Sequence, residues 1–193
     1  MLKNIFIFEW RYFTRQPSFY ITTLIFFGIA FAVASLNVPM WDEIKMNSPH
    51  SITQALFALN MLSLFLIVNF IATSALRDHQ SGMVELLYSK PLSSITYQLG
   101  RFAGAFAVVL TVYSFVPLGL YLGSIMPWVV ADRIGPQQLS YYLNSYLYIS
   151  VPTIFFFACC FYAVAVRFRS MMSVYLTLII VIIVSEIMDF LVM

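Results

Sequence analysis

The chain has 193 residues, of which 62% are hydrophobic and only 9% are charged, whereas an average soluble domain has about 25% charged residues. A soluble domain of this length would need more Lys, Arg, Asp and Glu to cover its surface than the 18 present. The composition therefore excludes a soluble globular protein and predicts an all-α, multi-pass membrane protein. Cys159 and Cys160 are adjacent in an apolar run, so they are interpreted as small apolar residues rather than as disulfide partners or metal ligands.

Residues 1–17 form a basic and aromatic segment that is too polar to cross a bilayer. A helix over this segment would place its polar side chains on one face, at Asn4, Arg11 and Arg15, with apolar side chains opposite. Trp10 and Glu9 depart from this pattern. The segment is predicted to be an interfacial helix that binds membrane lipid, ending at Pro17. A basic flank that only orients the first span is the alternative.

Five apolar runs follow, and together residues 18–193 are predicted to form a transmembrane bundle. The predicted spans are 18–36, 55–76, 102–125, 147–166 and a fifth that begins at Ser170. The first run is uncharged and would cover about 28 Å of a hydrocarbon core of roughly 30 Å. A cleaved signal peptide is the alternative for that run. Near the end of the third span, a kink or unwinding is expected at Pro117, Gly119 and Gly123.

The distribution of positive charges predicts the orientation of the bundle. With the N-terminus in the cytoplasm, eight of the ten cations lie inside, and only Lys45 and Arg133 lie outside. Cytoplasmic loops are enriched in Lys and Arg. The N-terminus is therefore predicted to be cytoplasmic, which places residues 77–101 and the short basic turn at Arg167 and Arg169 on the cytoplasmic side.

Residues 77–101 form the only long polar interruption with a dense set of charges, and a short amphipathic helix is predicted inside it. Gly82 is predicted as the N-cap, and Glu85 lies in the first turn near the positive end of the helix dipole. Lys90 precedes Pro91, where the helix should stop. Ser93 or Ser94 is predicted to cap a further helix that runs into the third span. Met83, Leu86 and Leu87 share one face. Arg77, Asp78, His79 and Glu85 are interpreted as docking and loop-fixing residues.

Several kinds of chemistry are disfavoured by the sequence. The central parts of the spans carry no Asp, Glu, Lys, Arg or His, which argues against a proton-driven carrier. The two histidines, His50 and His79, have no triad or metal-ligand partner at a recognisable spacing, and no Gly-rich phosphate loop is present. The chain is therefore not expected to be an enzyme, to hold a cofactor or to bind nucleic acid. If it transports a solute actively, another polypeptide must supply the energy.

The run GMVELLYSKPLSSITYQLGRFAG resembles the intracellular loop of type-2 ATP-binding-cassette permeases. The matching positions are Gly82, Glu85, Leu86 and Leu87, then Pro91, Leu92 and Ser93, then Gly100 and Arg101. The resemblance implies a coupling helix that docks in a cytoplasmic ATP-binding-cassette ATPase subunit, where ATP and Mg²⁺ bind. It also implies that FEWRYFTRQP is an elbow helix, with Trp10, Arg11 and Arg15, before the first span.

The whole chain is more specifically similar to the N-terminal membrane part of long permeases that are fused to a zinc aminopeptidase domain. The segments NSPHSITQ, VPLGLYLGSIMPW and RFRS carry this similarity. No His-Glu-x-x-His motif is present, so peptidase activity is not implied. The family has six spans and a cytoplasmic C-terminus, so the chain is expected to be a fragment; a truncated reading frame and a departure from the family are the alternatives.

Gly100 and Gly104 form a Gly-x-x-x-Gly motif at the head of the third span. Such motifs allow helices to approach closely, and packing within the bundle or a homodimer interface would both use it.

These observations together predict the membrane subunit of an ATP-driven exporter in a bacterial inner membrane, coupled to a separate ATPase. A non-transporting membrane anchor for a downstream peptidase-like domain is the alternative. A third possibility is an ion-coupled carrier.

Overall fold

The computed structural model describes residues 2–36, 45–80, 82, 93–129 and 134–192. Within these ranges the chain is all-α, with six helices and no strand. Helix α1 covers Leu2–Thr14 and α2 covers Pro17–Ser35. Pro17 is the first residue of α2, where its fixed φ and missing N–H are tolerated. The helix break predicted at this proline is confirmed.

Helices α3 and α5 each contain a π-helical segment. Helix α3 runs through Pro49–Ile67, a π segment at Val68–Ala72, and Thr73–Gln80. Helix α5 runs through Leu139–Ser145, a π segment at Tyr146–Ser150, and Val151–Phe168. Single π turns inserted into α-helices are rare and often lie at functional positions.

Helices α4, Ser94–Ser124, and α6, Met171–Val192, complete the described fold. Helix α4 continues through Pro117, so the unwinding expected there is wrong. The loop predicted over 77–101 is also too long, because α3 continues to Gln80 and α4 begins at Ser94. The start of α4 agrees with the helix predicted from Ser93 or Ser94 into the third span.

Five of the helices, α2 to α6, are long and apolar enough to cross a membrane. Helix α3 has about two thirds of its most apolar stretch buried, whereas in α6 only 11% of the corresponding residues are buried. The exposed residues of α6 include Leu176, Ile180 and Ile183. Exposed apolar side chains of this size suit a hydrocarbon solvent, as expected for a multi-pass membrane protein.

The chain divides into two compact units. The first unit comprises Met1–Arg15, Leu64–Val109 and Phe155–Met193. In its core, Phe13 of α1 packs edge-on against Phe70 in the π segment of α3, with ring centroids 5.4 Å apart. Helix α6 contacts the same π segment and buries Val174 and Leu178.

The second unit comprises Gln16–Ser63 and Leu110–Ile154. Phe26 of α2 and Tyr113 of α4 pack with their ring centroids 6.2 Å apart. The Tyr113 hydroxyl donates to the Leu56 carbonyl of α3 at 3.3 Å. Asn47 joins two connecting segments, because its amide donates to the Gly135 carbonyl at 2.7 Å and its Oδ1 accepts from the Gly135 N–H at 2.6 Å.

Candidate functional site: a buried charge cluster next to residues 81–93

A cluster of four charged side chains is buried in the first unit, and we call Glu9, Arg77, Asp78 and Arg101 the charge cluster. Its carboxylates come from α1 and α3, and its guanidinium groups come from α3 and α4. The side chains of Glu9 and Arg101 are 1% and 3% exposed, and those of Arg77 and Asp78 are about one fifth exposed. The formal charges sum to zero, which is the arrangement that burial of ionised groups requires.

Glu9 is the centre of the charge cluster because it contacts both arginines. Arg77 forms an ion pair with the Glu9 carboxylate, and its Nη1 donates to Glu9 Oε2 at 3.2 Å. The Nε of Arg101 lies 3.3 Å from Glu9 Oε1, and the Ser74 hydroxyl donates to Glu9 Oε2 at 3.3 Å. One carboxylate thus fastens α1 to the end of α3 and to the beginning of α4.

Arg101 extends the charge cluster to the last turn of α3. Its Nη1 forms an ion pair with Asp78, and its Nη2 donates to the Ser74 carbonyl. The hydroxyl of Tyr97, one turn earlier in α4, donates to Asp78 Oδ2 at 2.9 Å. Arg101 therefore satisfies a carboxylate and a backbone carbonyl of α3 from a buried position on α4.

Aromatic rings of α1 cover Arg77, the more exposed of the two arginines in the charge cluster. The guanidinium carbon of Arg77 lies 4.3 Å from the ring centroid of Tyr12 and 5.5 Å from that of Phe8. A guanidinium over an aromatic face is stabilised by the ring quadrupole, and more so where water is scarce. These contacts add to the attachment of α1 to α3.

The Gly-x-x-x-Gly motif packs against α1. A Cβ at Gly100 would lie 3.0 Å from Ile5 Cβ, and a Cβ at Gly104 would lie 2.6 Å from Glu9 Cβ and 3.1 Å from the Phe6 carbonyl oxygen. The absence of a side chain at Gly104 therefore lets the backbone of α1 come close enough for Glu9 to reach Arg101. The motif serves packing within the chain.

The predicted elbow residues lie on the outer side of α1. Arg11 and Arg15 are exposed and Trp10 is half-buried, stacked on Phe6 with ring centroids 6.5 Å apart. Glu9 departed from the amphipathic pattern, and the structure gives the physical reason. It lies on the side of α1 that packs on protein, together with the buried Phe13.

Of the predicted coupling residues, only Gly82 is described. Its φ is 67°, a left-handed conformation. An N-cap usually has an extended backbone, whereas a left-handed glycine is typical after the last turn of a helix. The helix that Gly82 is predicted to cap lies outside the described residues, so the N-cap assignment stays a prediction. Glu85, Leu86, Leu87, Lys90 and Pro91 lie outside the described residues, so the coupling helix stays a prediction.

Sequence reasoning interpreted Arg77 and Asp78 as loop-fixing residues and did not join them to Glu9 and Arg101. The structure places Arg77 and Asp78 within α3. The partner of Arg77, Glu9, lies 68 residues earlier in α1, and the partner of Asp78, Arg101, lies 23 residues later in α4. A signal was present in the sequence, since a lone carboxylate among apolar positions needs a buried partner.

Among the described residues, no three His, Cys, Asp or Glu side chains lie close enough to share a metal ion. The charge cluster instead has alternating acids and arginines at hydrogen-bonding distances, an arrangement that joins helices. Searches against protein-family models and curated proteins found no match to this chain.

Proposed function

We propose that the chain is the membrane subunit of an ATP-driven exporter and that a cytoplasmic ATPase docks on residues 81–93. The observation that carries the proposal is the charge cluster, which fixes both helices that border this segment. The last turn of α3 and the first turns of α4 are joined through Arg101, Asp78 and Ser74. Residues 82–104 resemble permease coupling loops in sequence, and this resemblance indicates that the partner is an ATP-binding-cassette ATPase.

When an ATPase displaces the segment that it binds, the displacement must reach the helices on either side rather than be lost in local bending of the chain. Buried, mutually paired charges resist separation, because breaking one pair leaves an uncompensated charge away from water. Because the charge cluster joins these helices, a displacement of residues 81–93 would move the end of α3 and the beginning of α4 together with α1. Rigid-body movement of packed helices is an established way of switching a membrane protein between states.

We further propose that the chain lies in a bacterial inner membrane with its N-terminus in the cytoplasm. The positive charges of the sequence support this orientation. The ATP and Mg²⁺ would be bound by the ATPase, and the membrane helices would form the path for the substrate.

Co-purification with a candidate ATP-binding-cassette ATPase from the same cells tests the docking site. The double variant Glu85→Lys/Leu87→Asp should lose ATPase binding by tenfold or more, because it reverses one charge and places another on the predicted apolar contact face. Membrane insertion should be unchanged. Lys45→Glu/Leu36→Asp is the matched control, since it makes the same kinds of change at exposed positions on the predicted opposite side.

Equal ATPase binding by the wild type and the Glu85→Lys/Leu87→Asp variant would overturn the docking site. Flux of a substrate into or out of liposomes containing both subunits, dependent on ATP, would separate an exporter from a membrane anchor. Flux driven by an ion gradient without ATP would favour an ion-coupled carrier.

A further inference from the structure

A groove of about 900 Å³ lies within the first unit, between the beginning of α4 and the end of α5. Its apolar lining includes Ile95, Leu99 and Phe102 from α4, and Phe155, Ala163 and Val166 from α5. Ligand sites in proteins commonly have volumes of about 300–1,000 Å³. The groove is thus large enough for a long apolar chain.

Contacts between the two helices fix the walls of the groove. The Tyr162 hydroxyl donates to the Gln98 carbonyl at 3.1 Å, and the rings of Phe102 and Tyr162 pack edge-on with centroids 5.3 Å apart. Phe102 also packs against Phe155 at 6.2 Å. From Phe155 to Val166 the groove follows α5 for about 16 Å, at a rise of 1.5 Å per residue.

The mouth of the groove is positively charged. Arg167 and Arg169 line it at the end of α5, where both residues are exposed. Within the part of the chain that the structure describes, neither arginine forms an ion pair with a carboxylate, whereas Arg77 and Arg101 both do. No Asp or Glu is among the residues that line the groove.

Arg169 occupies an unusual backbone conformation at this mouth. Its φ is 52°, and it is the only residue other than glycine with a positive φ in the described ranges. Its N–H donates to the Ala165 carbonyl at 2.9 Å, so it ends α5 at a position where glycine is usual. The left-handed backbone is unfavourable for a residue with a side chain, yet the residue at this position supplies a second guanidinium to the groove.

We infer that this groove binds an anionic phospholipid, with one acyl chain between α4 and α5 and the phosphate at Arg167 and Arg169. Basic pockets between membrane helices are the sites that recognise anionic headgroups. The charge of the mouth selects an acidic lipid over a zwitterionic one, and the apolar walls select a lipid over a soluble phosphate. The inference is independent of the proposed transport function.

Native mass spectrometry of the full chain in detergent, with phosphatidylglycerol and phosphatidylcholine added in equal amounts, tests the inference. The wild type should retain phosphatidylglycerol preferentially. Arg167→Gln/Arg169→Gln should lower that preference by about 25-fold, since each arginine near an anionic surface contributes about fivefold. Lys45→Gln removes an exposed positive charge from the second unit and should leave the preference unchanged, whereas Arg167→Gln alone should lower it about fivefold.

A second variant tests the apolar part of the site. Ala163 is exposed in the groove, so Ala163→Phe should fill it without disturbing the buried core and should lower retention of both lipids. Three results would overturn the inference: equal retention of the two lipids by the wild type, unchanged retention in Ala163→Phe, or displacement of phosphatidylglycerol by millimolar glycerol phosphate. Conversion of a dimer to a monomer by Ala163→Phe would show instead that a second copy of the chain covers the groove.

Discussion

At the scale of single residues, Glu9 decides how the N-terminal helix is placed. Its carboxylate is 1% exposed and faces two guanidinium groups, so one side of α1 must face protein rather than lipid or water. Arg11 and Arg15 remain exposed on the same helix. Helix α1 thus combines a buried ionic anchor with an exposed cationic side, and the exposed side is the part that suits lipid headgroups.

The charge cluster has a net charge of zero, so removing a single charge from it should destabilise the protein. Glu9→Gln leaves the cluster with a net charge of +1, because Asp78 is then its single carboxylate beside two guanidinium groups, and Arg77 loses its ion-pair partner. Loss of one partner from a buried pair typically costs about 3–5 kcal/mol. We expect a clear fall in the melting temperature of the detergent-purified protein, measured by intrinsic fluorescence.

Glu9→Gln/Arg77→Gln restores a net charge of zero and keeps the Arg101–Asp78 pair. The double variant should therefore be more stable than Glu9→Gln alone. Arg11→Gln is the control on the same helix and should change the melting temperature little, as is usual for an exposed charge. A double variant less stable than the single variant would contradict a charge-balanced cluster.

The sequence predicted the helical fold and the approximate position of each span, but it did not predict the charge cluster. Hydropathy ended the second span at the first charged residues, whereas α3 continues to Gln80 because Arg77 and Asp78 find partners on other helices. Pairing between residues far apart in sequence depends on tertiary packing, which helical periodicity does not specify. The two π segments left no pattern in the residues that would have indicated them.

At the scale of helices, α4 carries two Gly-x-x-x-Gly motifs and each faces a different helix. Gly100 and Gly104 contact α1 in the first unit, and Gly119 and Gly123 contact α2 in the second. A Cβ at Gly119 would lie 2.8 Å from the Phe27 carbonyl oxygen, and one at Gly123 would lie 2.7 Å from Ala34 Cβ. The second motif was visible in the sequence, but its glycines were interpreted as helix-breaking residues beside Pro117.

Replacing a glycine by alanine should lower stability where the glycine contacts a neighbouring helix, and should not lower it where no atom lies nearby. Alanine favours a helix by about 1 kcal/mol over glycine, so Gly28→Ala in α2, with no atom within 4 Å of the new Cβ, should be neutral or stabilising. At Gly104 and Gly123 the new Cβ would lie within 2.7 Å of a neighbouring helix, and overpacking typically costs about 1–3 kcal/mol. Gly104→Ala and Gly123→Ala should therefore lower the melting temperature.

The same three variants distinguish tight packing from a general effect of alanine. Equal melting temperatures for Gly28→Ala, Gly104→Ala and Gly123→Ala would contradict the close approach of α1 and α2 to α4. A loss of dimerisation in Gly104→Ala with unchanged monomer stability would assign the first motif to an interface between copies.

At the scale of the whole molecule, the connections between helices fall into two groups. The first unit holds the ends of α3 and α5 and the beginnings of α4 and α6, with the Arg-rich turn at Arg167 and Arg169. The second unit holds the segments around Asn47 and Gly135, which are hydrogen-bonded to each other. The distribution of positive charges predicts that these two sets of loops lie on opposite sides of the membrane. The cytoplasmic location of the first set stays a prediction.

Cysteine accessibility in intact bacterial cells tests this assignment. In a Cys159→Ala/Cys160→Ala background, single cysteines at Gln80 and Ser93 should resist a membrane-impermeant maleimide, and those at Lys45 and Gln138 should react. All four positions are exposed, so protection would reflect the membrane rather than burial in the protein. After lysis all four cysteines should react, which shows that each one is able to react with the maleimide once the reagent can reach it. The opposite pattern in intact cells would place residues 81–93 outside, where no cytoplasmic ATPase could reach them.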